Sequence, residues 1–121
     1  MVALLPAFSL ARIRPWRRKS PEEIERLRRL DIHRRGRIAH GHIVDVIQST
    51  RAGQPHLTVL YTYEVAGVTY EVGQDVTNLP QIRANASRLA GQTASVKYDP
   101  QQPTNSIIAC EGWCGITLLS A

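Results

Sequence analysis

The sequence predicts a mainly β protein of the α+β class: a small five-stranded antiparallel barrel or sandwich with an N-terminal amphipathic helix and one short inserted helix. Three observations predict this fold. Apolar and polar residues alternate along residues 56–65, five segments rich in strand-forming residues are separated by turn residues, and a helix-start signal precedes all of them. A chain of 121 residues, 43% hydrophobic and 21% charged, can bury one core of this size.

The N-terminal helix is predicted from its start signal. Residues 20–23 (SPEE) combine a serine that can cap exposed amides, a proline suited to the first turn and a glutamate at the capping-box position. We therefore expect a helix over residues 21 to about 33. Ile24, Leu27 and Leu30 recur every three residues along it and form a narrow apolar stripe, which must find a partner surface.

A hairpin of two strands is predicted next in the β part. Residues 56–65 have the period-two pattern of a strand with one buried face, and the Ala-Gly pair that follows permits a tight two-residue turn. A one-residue slip would place Thr69 and Glu71 on the buried face. We expect the tyrosines of the hairpin to fill the core rather than to form a ligand platform. The expected cross-strand pairs are Val65 with Val68, Tyr63 with Tyr70, and Tyr61 with Val72.

The other elements of the β part are shorter. Their order is a strand over 41–47, a turn at 53–55, a helix over 80–90, a strand over 93–98, a bend at 99–103 and a strand over 106–110. The short helix directs Ile82, Ala86 and Leu89 inward. By composition the chain divides into an apolar and basic arm (1–19), an amphipathic helix (20–35), a β domain (36–110) and a C-terminal tail (111–121).

The positive charge is concentrated at the N-terminal end. The formal net charge is +5, yet residues 1–40 contain 11 of the 15 basic residues and 4 of the 10 acidic ones, so residues 41–121 are mildly acidic. A basic arm attracts phosphate of any kind, so it could bind a membrane surface or nucleic acid. It could also be a solvated arm that keeps the protein soluble. The candidate contacts with an anionic surface are Arg12, Arg14, Arg17, Arg18 and Lys19.

An apolar stretch, residues 2–10, precedes this basic run, which also contains Trp16. A secretory signal has the opposite order, with positive charge before the apolar stretch. An apolar patch followed by arginine, lysine and tryptophan is instead typical of an interfacial anchor. Neither residues 2–10 nor residues 116–121 reach the roughly 20 residues that cross a bilayer as a helix. We expect membrane association on the cytoplasmic side, with a soluble cytoplasmic protein as the alternative.

Short motifs of the β domain occur in the order of a known bacterial family. They are GHIV at 41–44, YxYxVxGxxY at 61–70, a glycine at 91, VKYDP at 96–100 and PxxS at 103–106. Over residues 36–108 the chain resembles the family called domain of unknown function three-five-nine-two. The resemblance implies a small β-rich module, commonly placed beside one or two transmembrane helices in bacterial envelope proteins, with no established enzymatic activity.

The residues that carry the resemblance are expected to have structural roles. Gly67 permits the hairpin turn, the tyrosines and valines fill the inner face, and Asp99 accepts backbone hydrogen bonds in a turn stiffened by two prolines. The full set is Tyr61, Tyr63, Val65, Gly67, Tyr70, Tyr98, Asp99, Pro100 and Pro103.

Side chains able to do chemistry are few. His40 and His42 would lie on one side of a strand, a spacing that some metal sites use, but no third ligand is indicated by spacing. Cys110 and Cys114 are separated by three residues, which matches neither the usual redox pair nor a zinc knuckle. We expect two free thiols, which could pair in an oxidising compartment only if the backbone bends.

These patterns favour a noncatalytic β module that binds a membrane surface or a partner protein through its N-terminal arm. We predict no catalytic residue, metal ligand, cofactor or small-molecule substrate, because the sequence contains no acid–base carboxylate spacing, nucleophile elbow or phosphate-binding glycine loop. The first alternative, and the less favoured partner, is nucleic acid bound by a small β-barrel. The second is a metal or redox site at His40 and His42 or at Cys110 and Cys114. The pattern leaves the oligomeric state open.

Overall fold

The computed structural model describes residues 19–119. Its helices are α1 (Pro21–Arg35) and α2 (Pro80–Ala84), with short 3-10 turns at Ala86–Arg88 and Thr117–Leu119. Its strands are β1 (Arg37–Arg51), β2 (Gln54–Val65), β3 (Val68–Asp75), β4 (Thr93–Asp99), β5 (Gln102–Ile107), β6 (Ala109–Cys110) and β7 (Trp113–Cys114).

Strands β1–β5 form one antiparallel sheet in the order β3-β2-β1-β4-β5, and β6 pairs with β7 in a separate small hairpin. The predicted mainly β fold with five antiparallel strands, an N-terminal helix and a short inserted helix is confirmed. The barrel is not closed, and the five strands form one sheet rather than the two of a sandwich. Within residues 19–119 the edge strands β3 and β5 share no ladder.

The β2–β3 hairpin has the predicted register. Val65 pairs with Val68, Tyr63 with Tyr70, and Tyr61 with Val72. The loop residues Ala66 and Gly67 have φ of 51° and 83°, the left-handed conformation that a two-residue turn requires in order to match the twist of the strands. A second turn of this kind, at residues 52–53, joins β1 to β2.

Several elements differ in extent from the prediction. β1 is longer at both ends, because it pairs with β4 from residue 37 and with β2 as far as residue 51. β2 begins at Gln54, within the predicted turn, and the predicted strand over 106–110 is divided between β5 and β6. β5 begins at Gln102, so the predicted five-residue bend contracts to a turn at 100–101, and Pro103 lies within the strand. Proline is tolerated there because β5 is an edge strand, where its missing N–H faces no neighbour. α2 ends at Ala84 and continues as a 3-10 turn.

The core lies on the inner face of the sheet and extends to the C-terminal segment. Its most buried apolar side chains are Val59, Tyr61, Val76, Ile82, Leu89, Val96, Ile108 and Ile116, each at most 1% exposed. Ile116 forms a bridge with Ala94 of β4, so residues 113–119 pack against the same core as the strands. A smaller cluster of Ile32, Ile107 and Cys110 lies between α1 and β5.

One buried glutamine joins the two edges of the sheet. Gln74 of β3 is 0% exposed; its Nε2 donates to the carbonyl oxygen of Ala109, and its Oε1 accepts from the amide of Ile108, both at 2.8 Å. These two backbone groups directly follow β5. The side chain therefore supplies the hydrogen bonds that a closing strand ladder would otherwise provide.

Candidate functional site

Helix α1 is attached to the β domain by charged side chains. Ser20 caps its start, with Oγ accepting from the amide of Glu23 at 3.2 Å. Arg29 is 3% exposed, and its Nη2 lies 2.7 Å from Oε2 of Glu111. Arg28 donates from Nη1 to the backbone oxygen of Ser106 at 2.9 Å. Such charge-assisted bonds are stronger than neutral ones, so they hold the helix firmly.

The C-terminal end of α1 is fixed by a second set of contacts. Nη2 of Arg35 donates to Oδ2 of Asp99 at 3.0 Å. Nζ of Lys97 donates to the carbonyl oxygen of His33 at 3.1 Å and lies 4.7 Å from the ring centroid of Trp113, within the range of a cation–π contact. The helix is therefore attached to the domain at its middle and at its C-terminal end, and cannot rotate about its axis without breaking these contacts.

The predicted apolar stripe of α1 faces outward. Ile24 is 57% exposed and Leu27 is 39% exposed, while Leu30 is half-buried. Within residues 19–119, the β domain therefore leaves the first two members of this stripe uncovered, and their partner surface stays a prediction. The buried face is instead formed by Arg29 and Ile32.

The sequence could not identify this buried face, because arginine is seldom fully buried unless it is paired. Arg29 has a partner four positions earlier, Glu25 at 3.8 Å, but its closer partner, Glu111, is 82 positions away in the chain. Only the spacing of Arg28, Arg29 and Ile32, three and four residues apart, indicated that they share one face of a helix.

The basic arm joins the molecule at the start of the outward stripe. Lys19 is exposed and immediately precedes the capping serine of α1. The other candidate contacts with an anionic surface lie outside the described residues; they are Arg12, Arg14, Arg17 and Arg18. The outward face of α1 and the arm are therefore consecutive along the chain.

The four tyrosines form one stacked group on the inner face. The ring centroid of Tyr63 lies 5.8 Å from that of Tyr61, 5.7 Å from that of Tyr70 and 6.5 Å from that of Tyr98. Tyr61 and Tyr63 are fully buried, and burial raises the pKa of the Tyr61 hydroxyl. That hydroxyl lies 2.7 Å from Oγ of Ser106. Tyr70 and Tyr98 are half-buried, so this group contains no fully exposed ring on which a nucleotide base could stack.

In the turn between β4 and β5, Asp99 accepts hydrogen bonds as the sequence predicted. The Asp99 carboxylate accepts from the amide of Gln101 at 2.9 Å and from Arg35, and the hydroxyl of Tyr63 donates to the carbonyl oxygen of Pro103. Pro100 is exposed within the turn. Val65 is half-buried beside Gly67 at the opposite hairpin.

The candidate metal and redox residues do not converge. His40 and His42 are exposed, with ring centroids 5.4 Å apart, and the described residues contain no group of three potential metal ligands. Cys110 lies opposite Trp113 and Cys114 opposite Ala109, so the two thiols point to opposite faces of the β6–β7 hairpin. Both are free, and burial raises the pKa of Cys114, which makes its thiol a poor nucleophile.

A histidine–carboxylate pair that the sequence did not reveal lies at the end of the sheet. Nδ1 of His56 is 3.1 Å from Oδ2 of Asp75. Burial opposes ionisation of Asp75, but bonds from Thr77 and His56 outweigh it and lower the pKa of the carboxyl. The pair borders an open cavity of about 440 Å³, which Arg29 and Arg51 also line. In the described part of the chain no serine or cysteine side chain is bonded to His56, so the pair has no nucleophile to activate.

Acid is expected to loosen α1 from the β domain. The bond from Arg29 lowers the pKa of Glu111, and the bond from Arg35 lowers that of Asp99. Their stabilisation is therefore complete above the unfolded-state pKa of about 4 and is lost as the pH falls through the lower folded values. Denaturant unfolding at pH 7 and pH 3 measures this loss. At pH 7 the free energy of unfolding of Glu111→Gln should be lower than that of the parent by on the order of 1 kcal/mol, a figure kept small because solvent screens the partly exposed Glu111. The free energy of unfolding of this variant should also change less between pH 7 and pH 3. Parallel pH curves would contradict the assignment.

Among residues 19–119, no helix combines the length and the apolar character needed to cross a membrane. No curated protein and no solved structure matches the chain significantly. The sequence model of one family matches residues 34–112, which include the whole five-stranded sheet and the β6 strand. The chain therefore belongs to the family described as Domain of unknown function (DUF3592).

Proposed function

We propose that the protein is a noncatalytic β module that binds the surface of an anionic membrane through its basic arm and the outward face of α1. The observation that supports this most directly is the orientation of the helix. Its arginines bind the domain, while Ile24 and Leu27 are left exposed. An amphipathic helix that presents apolar side chains outward beside a cationic segment has the composition of an interfacial membrane contact.

The charge distribution favours a lipid surface over a generic apolar partner. Residues 12–19 contain five basic residues and no acidic one, and they end five positions before Ile24, the first residue of the exposed stripe. Each lysine or arginine near an anionic bilayer contributes about 1 kcal/mol of attraction at physiological salt. Two apolar side chains alone give weak binding, so the arm and the helix face must act together.

The alternatives have less support in the contacts of the described residues. Binding of single-stranded nucleic acid needs aromatic rings on which bases can stack, and the tyrosines are instead packed in the interior. A site at the histidines or thiols needs side chains that converge, and these do not. We therefore assign the protein neither a catalytic role nor a cofactor.

Flotation of the full chain with vesicles tests the proposal. Vesicles that contain anionic phospholipid should carry the protein to the top of a density gradient at low salt and, to a smaller extent, at physiological salt; zwitterionic vesicles should not. Changing Ile24 and Leu27 together to serine should reduce recovery by about tenfold, because two apolar anchors are lost. Reversing Arg17 and Arg18 to glutamate should remove most binding at physiological salt.

The matched control is Ile38→Ser. Ile38 is 58% exposed, nearly the same as Ile24, but lies on β1 outside the proposed surface. Its variant should float like the parent protein. Equal recovery of the Ile24/Leu27 variant and the Ile38 variant would defeat the proposal. So would retention on single-stranded nucleic acid with a steep salt dependence but no flotation, which would indicate the nucleic-acid alternative.

A further inference from the structure

Strand β1 extends beyond its neighbour on one side. It pairs with β2 as far as Arg51, but with β4 only over residues 37–42. The next residue, Ile43, exchanges backbone hydrogen bonds with Gly91 and Gln92. Within residues 19–119, no strand pairs with residues 44–51 on that side, and most of these residues are exposed.

The hydrogen-bonding groups on this open side can be assigned from the turn. The closing pair of the two-residue hairpin, Arg51 with Gln54, is a hydrogen-bonded pair, and such pairs alternate along an antiparallel ladder. Residues 47, 49 and 51 therefore direct their N–H and C=O groups to β2. Val46, Gln48 and Thr50 direct theirs to the open side. In agreement, the amide of Val46 is bound by the side chain of Asp45, at 2.7 Å, rather than by β2.

This open edge is complementary to itself. If two copies meet antiparallel about a two-fold axis at Gln48, the outward groups of Val46 face those of Thr50 of the second copy, and Gln48 faces its own counterpart. All three outward residues then have partners. The same register places Asp45 opposite Arg51 of the second copy, and this pair occurs twice.

The side chains also suit this register. Asp45 and Arg51 are six positions apart after the bulge, so both lie on the outer face of the sheet. Arg51 makes no ion pair with any other described residue. In the dimer, Asp45 would release the amide of Val46 and bind Arg51 of the second copy instead. Ile47, 40% exposed, would approach its counterpart across the axis at the diagonal distance over which side chains still touch.

We propose that the chain forms a symmetric dimer in which residues 46–50 of β1 pair with the same residues of a second copy, joining the two sheets into one. Charges at an exposed strand edge normally discourage pairing with other chains. Here Asp45 at one end of the open edge and Arg51 at the other oppose pairing with a strand that lacks the complementary charges. A second copy of the chain supplies the opposite charge at both ends. An open cavity of about 600 Å³ between this edge and Arg83 leaves room beside the strand. The inference does not rest on the proposed membrane binding.

Sedimentation velocity of the full chain tests the dimer. Between about 1 and about 100 µM, the parent protein should convert from a monomer to a species of twice the chain mass of 13.5 kDa. Asp45→Arg or Arg51→Asp alone places like charges opposite each other twice, which should raise the dissociation constant about tenfold or more. The double reversal restores opposite charges and should return the constant to within about threefold of the parent value.

Two further variants locate the interface. Gln48→Pro removes an outward N–H that no described residue uses and should abolish dimerisation, whereas Gln48→Ala keeps the N–H and should not. Arg37→Asp, an exposed change on β1 outside the free edge, is the charge control. Thermal unfolding by circular dichroism confirms that each variant is folded. The proposal is overturned if the folded parent is monomeric over the whole range, if the double reversal is as weak as the single changes, or if Gln48→Pro still dimerises.

Discussion

Replacing Gln74 by leucine is expected to lower the free energy of unfolding by about 3 kcal/mol or more. Leucine fills a similar volume but bonds to neither the amide of Ile108 nor the carbonyl of Ala109, which Gln74 holds at 2.8 Å each. Ile108 and Ala109 are both buried, so neither group can turn to water. Each unpaired buried group costs about 1–3 kcal/mol, and Gln74→Leu leaves two such groups unpaired.

Denaturant unfolding at pH 7, with Gln74→Glu alongside, measures the effect. A carboxylate can accept from Ile108 but repels the Ala109 carbonyl, whereas a protonated glutamate can bond to both. The buried glutamate should have a folded-state pKa raised above its unfolded value, so the Glu variant should lose stability as the pH rises through that interval. Gln102→Leu, at an exposed glutamine, should change little. Stability of Gln74→Leu within about 0.5 kcal/mol of the parent would show that the bridge is dispensable.

Gly115→Ala is the second change with a large expected effect. A Cβ at this position would lie 2.0 Å from the backbone oxygen of Ser95 and 2.8 Å from the ring of Trp113. The backbone cannot simply move away, because the Ser95 amide donates to the Gly115 carbonyl at 2.7 Å and the Gly115 amide donates to Ile108. We expect a loss of about 3 kcal/mol or more, since overpacking against backbone atoms cannot be relieved by rotating a side chain.

Hydrogen exchange distinguishes a local from a global effect of this change. The amide of Ser95 should lose protection as residues 113–119 separate from β4, while the β2–β3 hairpin keeps its own. Gly112→Ala, in the loop of the adjacent β6–β7 hairpin, is the matched control, because a Cβ there has no atom within 4 Å. If the two alanine variants have the same unfolding midpoint, the close approach at Gly115 does not restrain the fold.

The part of the fold that the sequence predicted best depends on local rules. The register of the β2–β3 hairpin follows from alternation on both sides of Ala66 and Gly67, and a slip would have buried Glu71. The turn between β1 and β2 has the same Ala-Gly pair, at residues 52–53, but the polar residues 48–51 before it do not alternate with apolar ones. The length of β1 was underestimated for that reason.

The features that sequence reasoning missed depend on distant partners. Gln74 is a polar residue in a strand, and nothing nearby indicates that it is buried against the backbone 34 and 35 positions later. Arg29 likewise depends on Glu111. A hydrophobic pattern alone favours Ile24 and Leu27 as the inward face of α1, because it counts apolar residues and does not detect an arginine that is buried in an ion pair. The sequence therefore predicted the apolar stripe of α1, but not that Arg29 and Ile32 form the face that packs on the domain.

The attachment of α1 also determines how the domain would respond to mechanical load. Along the chain, Gly36 connects α1 to β1, the strand at the middle of the sheet. Tension applied at the N-terminus would first meet the arginine contacts that lie along α1. It would next reach residues 37–42 of β1, which pair with β4, and only afterwards residues 44–51, which within residues 19–119 pair with β2 alone. A tether at this end would therefore load the contacts of α1 and the β1–β4 ladder before most of the β1–β2 ladder.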